Sequence, residues 1–177
     1  AYRFLVETLR ARGVPLRTVA AGATRRLGAE TDLTVLHPPA GLFAPRRGSR
    51  ASRVNNNSVV LLLRHGDQRL LLTGDIEAEA ETHLVANGPL HPVTALKVPH
   101  HGSRTSSTAA FLDAIRPSVA VIQVGFANRF GHPHPDVLAR LQGVGARVFR
   151  TDRHGAVRLL LDGGSLAVVP TVDVAPE

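Results

Sequence analysis

The chain has 177 residues, which suffices for one domain with a buried core and is too short for two large ones. Hydrophobic residues make up 44% and charged residues 20%, a globular balance that excludes wholesale disorder, and no apolar run is long enough to cross a bilayer. Cysteine is absent, which excludes disulfides, thiolate metal ligands and cysteine nucleophiles.

Arginine dominates the charge of the chain. The 21 basic residues outnumber the 14 acidic ones, which gives a formal net charge of +7, and Lys97 is the only lysine. The planar, permanently charged guanidinium suits phosphate oxygens, so this composition is compatible with an anionic partner. A genome biased towards arginine codons explains the same composition equally well.

The first part of the chain predicts short elements. Residues Tyr2–Arg12 place Phe4, Leu5 and Leu9 on one face, which predicts an amphipathic helix that ends at Gly13. Short β-like runs follow at Leu16–Ala20, Arg25–Leu27 and Leu33–Leu36.

Residues 44–57 predict a mobile, basic surface loop. The stretch has almost no apolar residue and four arginines, Arg46, Arg47, Arg50 and Arg53. Such a charge run is usually a solvated surface, and a phosphodiester backbone is its obvious partner if it has one. The asparagine amides that end the stretch, up to Asn57, either close the loop or face a ligand.

From residue 58 onwards strands alternate with helices, which predicts an α/β fold on a mixed sheet with an antiparallel hairpin at each end. Strands are predicted at Ser58–Arg64, Arg69–Thr73, Val93–Val98, Val119–Val124, Arg147–Arg150, Ala156–Leu161 and Leu166–Val169. Helices are predicted at Glu77–Val85, Ser107–Ile115 and Asp136–Leu141. Polar residues sit just past several strand ends, where α/β proteins build their sites.

Asp75 is the first candidate, because a carboxylate at the end of a buried strand needs a metal, an arginine or a helix N-terminus as partner. The simpler interpretation is that Asp75 caps the helix that follows it. His100 and His101 are the second candidate, because paired neutral imidazoles directly after a strand can bind metal. The polar side chains that follow them could contact phosphate or cap the next helix; they are Ser103, Arg104, Thr105 and Ser106.

His132 and His134 form a third candidate. Glycine and prolines flank both histidines and fix them, so either ring could protonate a leaving oxygen or contact phosphate. Equally, this stretch is a proline-rich helix entry with incidental histidines. The scattered histidines are interpreted as surface or turn residues, namely His37, His65, His83, His91 and His154.

Several motifs, in this order, resemble a known family. The runs NNNSVVLLL, LLLTGDIEAEAE, LKVPHHGSRTSS, FLDAIRPSVAVIQVG and GHPHPDVLARL closely resemble the C-terminal metallo-β-lactamase-like domain of ComEC-type competence proteins, a family of DNA-uptake channels. The resemblance runs from about Asn55 to Leu160, and Tyr2–Pro39 resembles the piece that precedes it in the family. It implies a single domain over residues 1–177 that forms part of an αββα sandwich and is incomplete at its N-terminus.

The resemblance also implies a metal-dependent phosphodiesterase that degrades the non-transported strand of incoming DNA. Position by position, Asp75 matches a carboxylate that bridges two divalent metals, zinc or manganese, and His100 matches the late histidine ligand. His101 is the adjacent candidate, and His132 matches the histidine of a Gly-His-Pro turn beside the site. We therefore expect Asp75 and His100 to bind metal, and His101 and His132 to act in catalysis. The expected substrate contacts are Ser103, Arg104, Thr105, Ser106, Asn57, His134, Arg50 and Arg53.

One departure from the family matters. The HxHxDH motif, which supplies most metal ligands in the superfamily, is absent, and residue 1 falls shortly after the place where that motif would end. Asp75, His100 and His132 then remain as ligands, so metal occupancy in this chain is doubtful. Loss of the leading half of the fold would expose one sheet face, which predicts self-association or docking with the missing segment.

Three functions are compatible with the sequence. The first is a nuclease domain, extracytoplasmic and tethered to a membrane channel, with DNA and that channel as partners. The second is a hydrolase of another phosphodiester, such as phosphocholine on cell-wall polymers. The third is a non-catalytic, basic nucleic-acid-binding module; since aromatic residues make up only 4%, base stacking is not expected to be its main mode.

Overall fold

The computed structural model describes residues 2–41, 43 and 50–177. Its main sheet has seven strands that lie side by side in chain order, and a separate two-stranded hairpin follows. The strands are β1 (Thr24–Arg26), β2 (Thr31–His37), β3 (Val60–His65), β4 (Gln68–Leu72), β5 (Ala95–Lys97), β6 (Val119–Ile122), β7 (Arg147–Arg150), β8 (Val157–Leu161) and β9 (Leu166–Pro170). The helices are α1 (Tyr2–Ala11), α2 (Arg50–Asn55), α3 (Ala78–Asn87), α4 (Ala109–Ile115), α5 (Pro135–Gly143) and α6 (Thr151–His154).

The main sheet is mixed. Strands β1 to β4 run antiparallel to one another, and β4 to β7 run parallel. The β3–β4 turn pairs His65 with Gln68 around Gly66 and Asp67, as the sequence predicts. Each parallel connection contains one helix, α3, α4 or α5 in turn. The predicted α/β class with a mixed sheet and flanking helices is therefore confirmed.

The two faces of the sheet are covered differently. Helices α3, α4 and α5 pack on one face, where Phe111, Leu112 and Leu141 are fully buried against Leu71 and Leu96. On the other face the β8–β9 hairpin packs over a smaller apolar cluster centred on the four residues Leu70, Ala95, Val119 and Phe149. The sheet face that the sequence analysis expects to be exposed is thus partly covered by the hairpin.

Two predicted elements differ in the structure. Leu16–Ala20 form no strand, because their side chains are largely exposed and offer no face to bury. The basic stretch predicted as a loop over residues 44–57 is helical at Arg50–Asn55, while residues 44–49, with Arg46 and Arg47, lie outside the described residues. In the described ranges, no helix is long and apolar enough to cross a membrane.

Two histidines interpreted as surface residues are buried, so that interpretation is wrong for them. The His37 ring packs 5.3 Å from the Phe43 ring and 5.8 Å from the His83 ring, and its Nε2 donates to the carbonyl of Asn56 at 2.7 Å. Burial lowers the pKa of His37, so the ring is neutral at neutral pH. The His154 ring packs 5.3 Å from the Phe149 ring and is also fully buried.

Candidate active site

Three loops meet at one edge of the sheet. Residues 73–77 follow β4, residues 98–108 follow β5, and residues 123–134 follow β6. Because these three strands are parallel neighbours, their carboxyl ends lie at the same edge. Asp75, the histidine pair and His132 are therefore brought together, as their positions after strands indicate.

Glycines allow these loops to approach closely. Gly74 has φ +57°, and a Cβ there would lie 2.6 Å from the Ser58 Cβ, while the Asp75 amide donates to the Ser58 hydroxyl at 3.0 Å. Gly102 has φ +78°, and a Cβ there would lie 2.7 Å from the Pro133 Cβ. Only glycine fits both positions without displacing a neighbour, so the loops are closely packed against their neighbours.

Asp75 and His101 form the central pair of the site. His101 Nδ1 lies 2.6 Å from the carbonyl oxygen of Gln123, which can only accept, so Nδ1 carries the proton. The other ring nitrogen, Nε2, lies 3.6 Å from Asp75 Oδ1. A ring whose Nδ1–H is held by a backbone carbonyl is the arrangement that metal-binding histidines use.

His100 turns away from this pair. Both histidines have left-handed backbones, with φ 48° at His100 and 55° at His101, within the turn Pro99–Gly102. His100 Nδ1 lies 3.5 Å from Glu77 Oε1 and 3.4 Å from the Thr105 hydroxyl. The Glu77 carboxylate is held in turn by Asn55 Nδ2 at 3.1 Å. The structure thus pairs Asp75 with His101, and not with His100 as the resemblance implies.

Lys97 places a positive charge beside Asp75. Its ammonium donates to the Gly74 carbonyl at 2.7 Å and lies 3.7 Å from Asp75 Oδ1. Burial lowers the pKa of Lys97, and the neighbouring Asp75 carboxylate opposes that effect. The side chain therefore ties the 73–77 loop to the sheet and compensates the charge of Asp75.

His132 lies beside the histidine pair. Its ring centroid is 6.0 Å from that of His100 and 5.9 Å from that of Phe130, on which it stacks at 22°. Burial lowers the pKa of His132, and the nearby rings of His100, His101 and His134 lower it further. The His132 ring is consequently neutral at neutral pH and takes up a proton only in more acidic solution.

The described residues do not form a complete metal site. Asp75 and His101 could supply two ligands, whereas a catalytic zinc site uses three protein ligands. Within residues 2–41, 43 and 50–177, no cluster of three or more histidine, aspartate or glutamate side chains is suited to a metal ion.

Several predicted substrate contacts have structural roles. Ser103 and Ser106 are buried, and the single hydroxyl hydrogen of Ser106 is shared between the carbonyls of Pro99 and Ser103, each 3.0 Å from its Oγ, so this side chain holds the turn that carries the histidines. The Asn57 amide bonds both the N–H and the carbonyl of Phe43, at 2.8 and 2.9 Å. Burial and these hydrogen bonds hold the three side chains in the fold, and their contact with a substrate stays a prediction.

The remaining predicted contacts are distributed as follows. His134 caps α5, because its Nδ1 accepts from the Asp136 amide at 3.2 Å, in agreement with the helix-entry interpretation. Arg53, Arg104 and Thr105 are exposed and stay available, whereas the Arg50 side chain lies outside what the structure describes.

Asp75 is not a helix cap. Helix α3 is capped by Asn56, whose Oδ1 accepts from the amides of Glu77 at 2.8 Å and Ala80 at 3.4 Å. The sequence analysis assigns no role in the site to Glu77 or Lys97. The only available signals are weak: Glu77 follows Asp75 by two residues, and Lys97 is the single lysine of the chain.

Comparisons with known proteins bear on this geometry. Residues 54–125 match the Metallo-beta-lactamase superfamily. "ComE operon protein 3" of Bacillus subtilis is 33% identical over 173 residues, which cover 97% of this chain and 21% of that protein. "Competence protein ComA" of Neisseria gonorrhoeae is 39% identical over 63% of this chain and 16% of that protein. "Recombination protein 2" of Haemophilus influenzae is 38% identical over 59% of this chain and 13% of that protein.

The chain thus spans about a fifth or less of the length of these relatives. A solved structure from Parabacteroides distasonis, named as a metal-dependent hydrolase, superposes with a TM-score of 0.50 over 82% of this chain and 61% of that one. At 13% sequence identity this likeness concerns the fold alone. The resemblance inferred from the sequence motifs is confirmed: residues 54–125 match the metallo-β-lactamase superfamily, and the chain is similar to a segment of competence proteins of the ComEC type.

Proposed function

We propose that this domain hydrolyses phosphodiester bonds of DNA as part of a competence-related uptake system. The observation that carries the proposal is the Asp75–His101 pair, whose 3.6 Å contact lies at the sheet edge where three loops converge. The competence names of the relatives and the net charge of +7 support a nucleic-acid substrate. On the same grounds we propose an extracytoplasmic placement and a membrane channel as partner.

Within this proposal, His101 takes the place beside Asp75 that the resemblance gives to His100. Asp75 and His101 would contribute two ligands to a divalent ion, zinc or manganese, of the kind on which the superfamily generally depends. The further ligands would have to come from outside the described residues. His132, neutral and close to His100, is the group of this chain best suited to exchange a proton with the substrate.

The test is cleavage of a fluorescent single-stranded oligonucleotide with added Mn²⁺ or Zn²⁺. We expect Asp75→Asn and His101→Gln each to lower the rate about a hundredfold or more, because each removes one half of the central pair. Isothermal titration of the same variants with Mn²⁺ gives a readout that does not depend on turnover. His91→Gln is the matched control, because His91 is exposed and lies before β5, at the opposite edge of the sheet from these loops.

A second candidate is a nucleic-acid-binding domain without hydrolysis. The incomplete ligand set among residues 2–41, 43 and 50–177, together with the positive net charge, favours it. Salt-sensitive binding of the oligonucleotide with no cleavage in either metal would support this candidate and contradict the hydrolase. Cleavage that survives both Asp75→Asn and His101→Gln would show that the reaction uses a different site.

A further inference from the structure

Two phenyl rings are exposed in the loop that carries His132. Phe126 is 87% exposed and Phe130 is 67% exposed, in a chain that has only six phenylalanines, one tyrosine and no tryptophan. Exposing large apolar rings costs free energy unless a partner covers them. Both rings lie within four residues of one another in the loop that follows β6, and Phe130 stacks on His132.

The loop presents these rings from a fixed backbone. The Asn128 side chain donates to the carbonyls of Gly125 at 3.3 Å and His132 at 2.7 Å. Its Oδ1 accepts from the amides of Phe130 at 3.2 Å and His132 at 3.1 Å. One side chain therefore closes the loop on itself, so little ordering remains to be done when a ligand binds.

Phe130 also borders a cavity that reaches His101. The cavity has a volume of about 320 Å³ and is lined by Phe130, His132, His101 and the polar side chains of Gln123, Asn128 and Thr151. The Phe130 ring stacks on His132. A planar group on Phe130 would thus lie next to the residues proposed to act on the phosphodiester.

The charge around the phenyls selects the kind of planar group. The Arg129 guanidinium carbon lies 5.1 Å from the centre of the Phe130 ring. A cationic ligand such as the quaternary ammonium of phosphocholine would be repelled by that guanidinium, although it would suit the phenyl alone. A nucleotide satisfies both groups, because its base stacks on a ring and its phosphate meets an arginine.

We propose that Phe130, with Phe126, is a stacking platform for the bases of single-stranded DNA at the entrance to the site. The inference rests on the proposed function, and it adds the form of the substrate: unpaired bases rather than a closed duplex. It also changes the conclusion drawn from composition. Aromatic residues are few in this chain, but Phe130 lies exposed at the cavity that His101 and His132 also line.

The test uses tryptophan as a reporter in metal-free buffer with EDTA. Phe130→Trp introduces the only indole of the chain, whose fluorescence a stacked base quenches. We expect oligothymidylate to quench it, and an abasic oligomer of the same length and charge to leave it nearly unchanged. Phe4→Trp is the matched control, because Phe4 is 75% exposed on α1, far along the chain from the site.

Affinity gives the second readout. We expect the native chain to bind oligothymidylate about tenfold more tightly than the abasic oligomer, and Phe130→Ala to remove most of that preference. Phe4→Ala should leave it intact. Equal affinity for the two oligomers, a preference untouched by Phe130→Ala, tighter binding of duplex, or competition by phosphocholine would each overturn the platform. Because no metal is present, a failure of cleavage contradicts the proposed hydrolase and leaves this measurement unaffected.

Discussion

Lys97 connects the sheet to the site through a single side chain. Its aliphatic part lines a small cavity of about 150 Å³ together with Leu70, Leu72 and Val121, and its ammonium reaches Gly74 and Asp75. The aliphatic part of Lys97 thus packs in the sheet, whereas its ammonium positions Gly74 and Asp75.

This separation leads to a prediction for Lys97→Met. The methionine side chain fills the same space as the aliphatic part of lysine, so we expect the free energy of unfolding to change by less than about 1.5 kcal/mol. The lost ammonium releases the Gly74 carbonyl and leaves Asp75 less well placed, so kcat should fall about tenfold while KM changes little. Denaturant unfolding measures the change in stability, and steady-state hydrolysis measures kcat and KM.

Arg64→Met is the control for that substitution. Arg64 is also a cation paired with an aspartate, Asp32, at 3.0 Å, but it lies towards the opposite edge of the sheet from Asp75. An equal loss of kcat in Arg64→Met and Lys97→Met would show that a general change of charge is responsible, and would contradict a positioning role.

At the level of elements, a buried carboxylate joins α3 to α4. Glu81 is fully buried on α3, and its two oxygens accept from the amides of Ser107 at 2.5 Å and Thr108 at 2.8 Å, just before α4 begins. Burial raises the pKa of Glu81, and the two amide hydrogen bonds oppose this effect. The carboxylate thereby fixes the end of the 98–108 loop that carries both histidines.

We therefore expect Glu81→Gln to destabilise the fold by about 1–3 kcal/mol. The carboxamide offers one accepting oxygen where the carboxylate offers two, so one buried amide loses its partner. Urea unfolding measures the effect. Glu7→Gln removes the same charge from the exposed surface of α1 and should change the stability by less than about 0.5 kcal/mol. A Glu81→Gln chain as stable as the native one would contradict the role assigned to this carboxylate.

Elements with their own periodicity could be predicted from the sequence, and those that depend on distant partners could not. The β3–β4 hairpin and the three crossover helices follow from local patterns of apolar residues and turn residues. Helix α2 lies in a polar, arginine-rich stretch that has no repeating apolar pattern, so the sequence does not predict it. Likewise His37 is buried only because Phe43 and His83 close around it, which no local pattern reveals.

The same distinction holds for the candidate site. Asp75, the histidine pair and His132 could be predicted to converge, because each follows a strand and parallel strands share an edge. Which histidine faces Asp75 depends on two left-handed residues in succession, a backbone conformation that the letters His-His do not indicate. The buried positions of Ser103 and Ser106 depend on that same turn.

Considered as a whole molecule, the chain should bind single strands with a strong salt dependence. We expect log affinity for oligothymidylate to fall with log salt, with a slope of about −0.7 for each phosphate contacted. Arg53→Gln, Arg104→Gln and Arg129→Gln should each make the slope shallower by about 0.7, since these exposed arginines lie on the elements that surround the site. Fluorescence anisotropy between 50 and about 300 mM salt measures the slopes.

Arg158→Gln is the matched control for the salt series. Arg158 is exposed on the β8–β9 hairpin, which packs on the sheet and contributes no residue to the candidate site. A slope that changes equally in all four variants would indicate attraction by net charge alone, without a defined path for the strand.

The spatial order of the seven strands, which repeats their order along the chain, bears on how the domain is made. During synthesis each new strand finds its neighbour already present, and none has to be inserted between two earlier strands. The sheet can therefore grow at one advancing edge, and each connection joins strands that are neighbours in the sheet. The edge of the sheet that carries the candidate site would be completed in the same order. Asp75 would be placed first, His100 and His101 next, and the loop with Phe126 and Phe130 last.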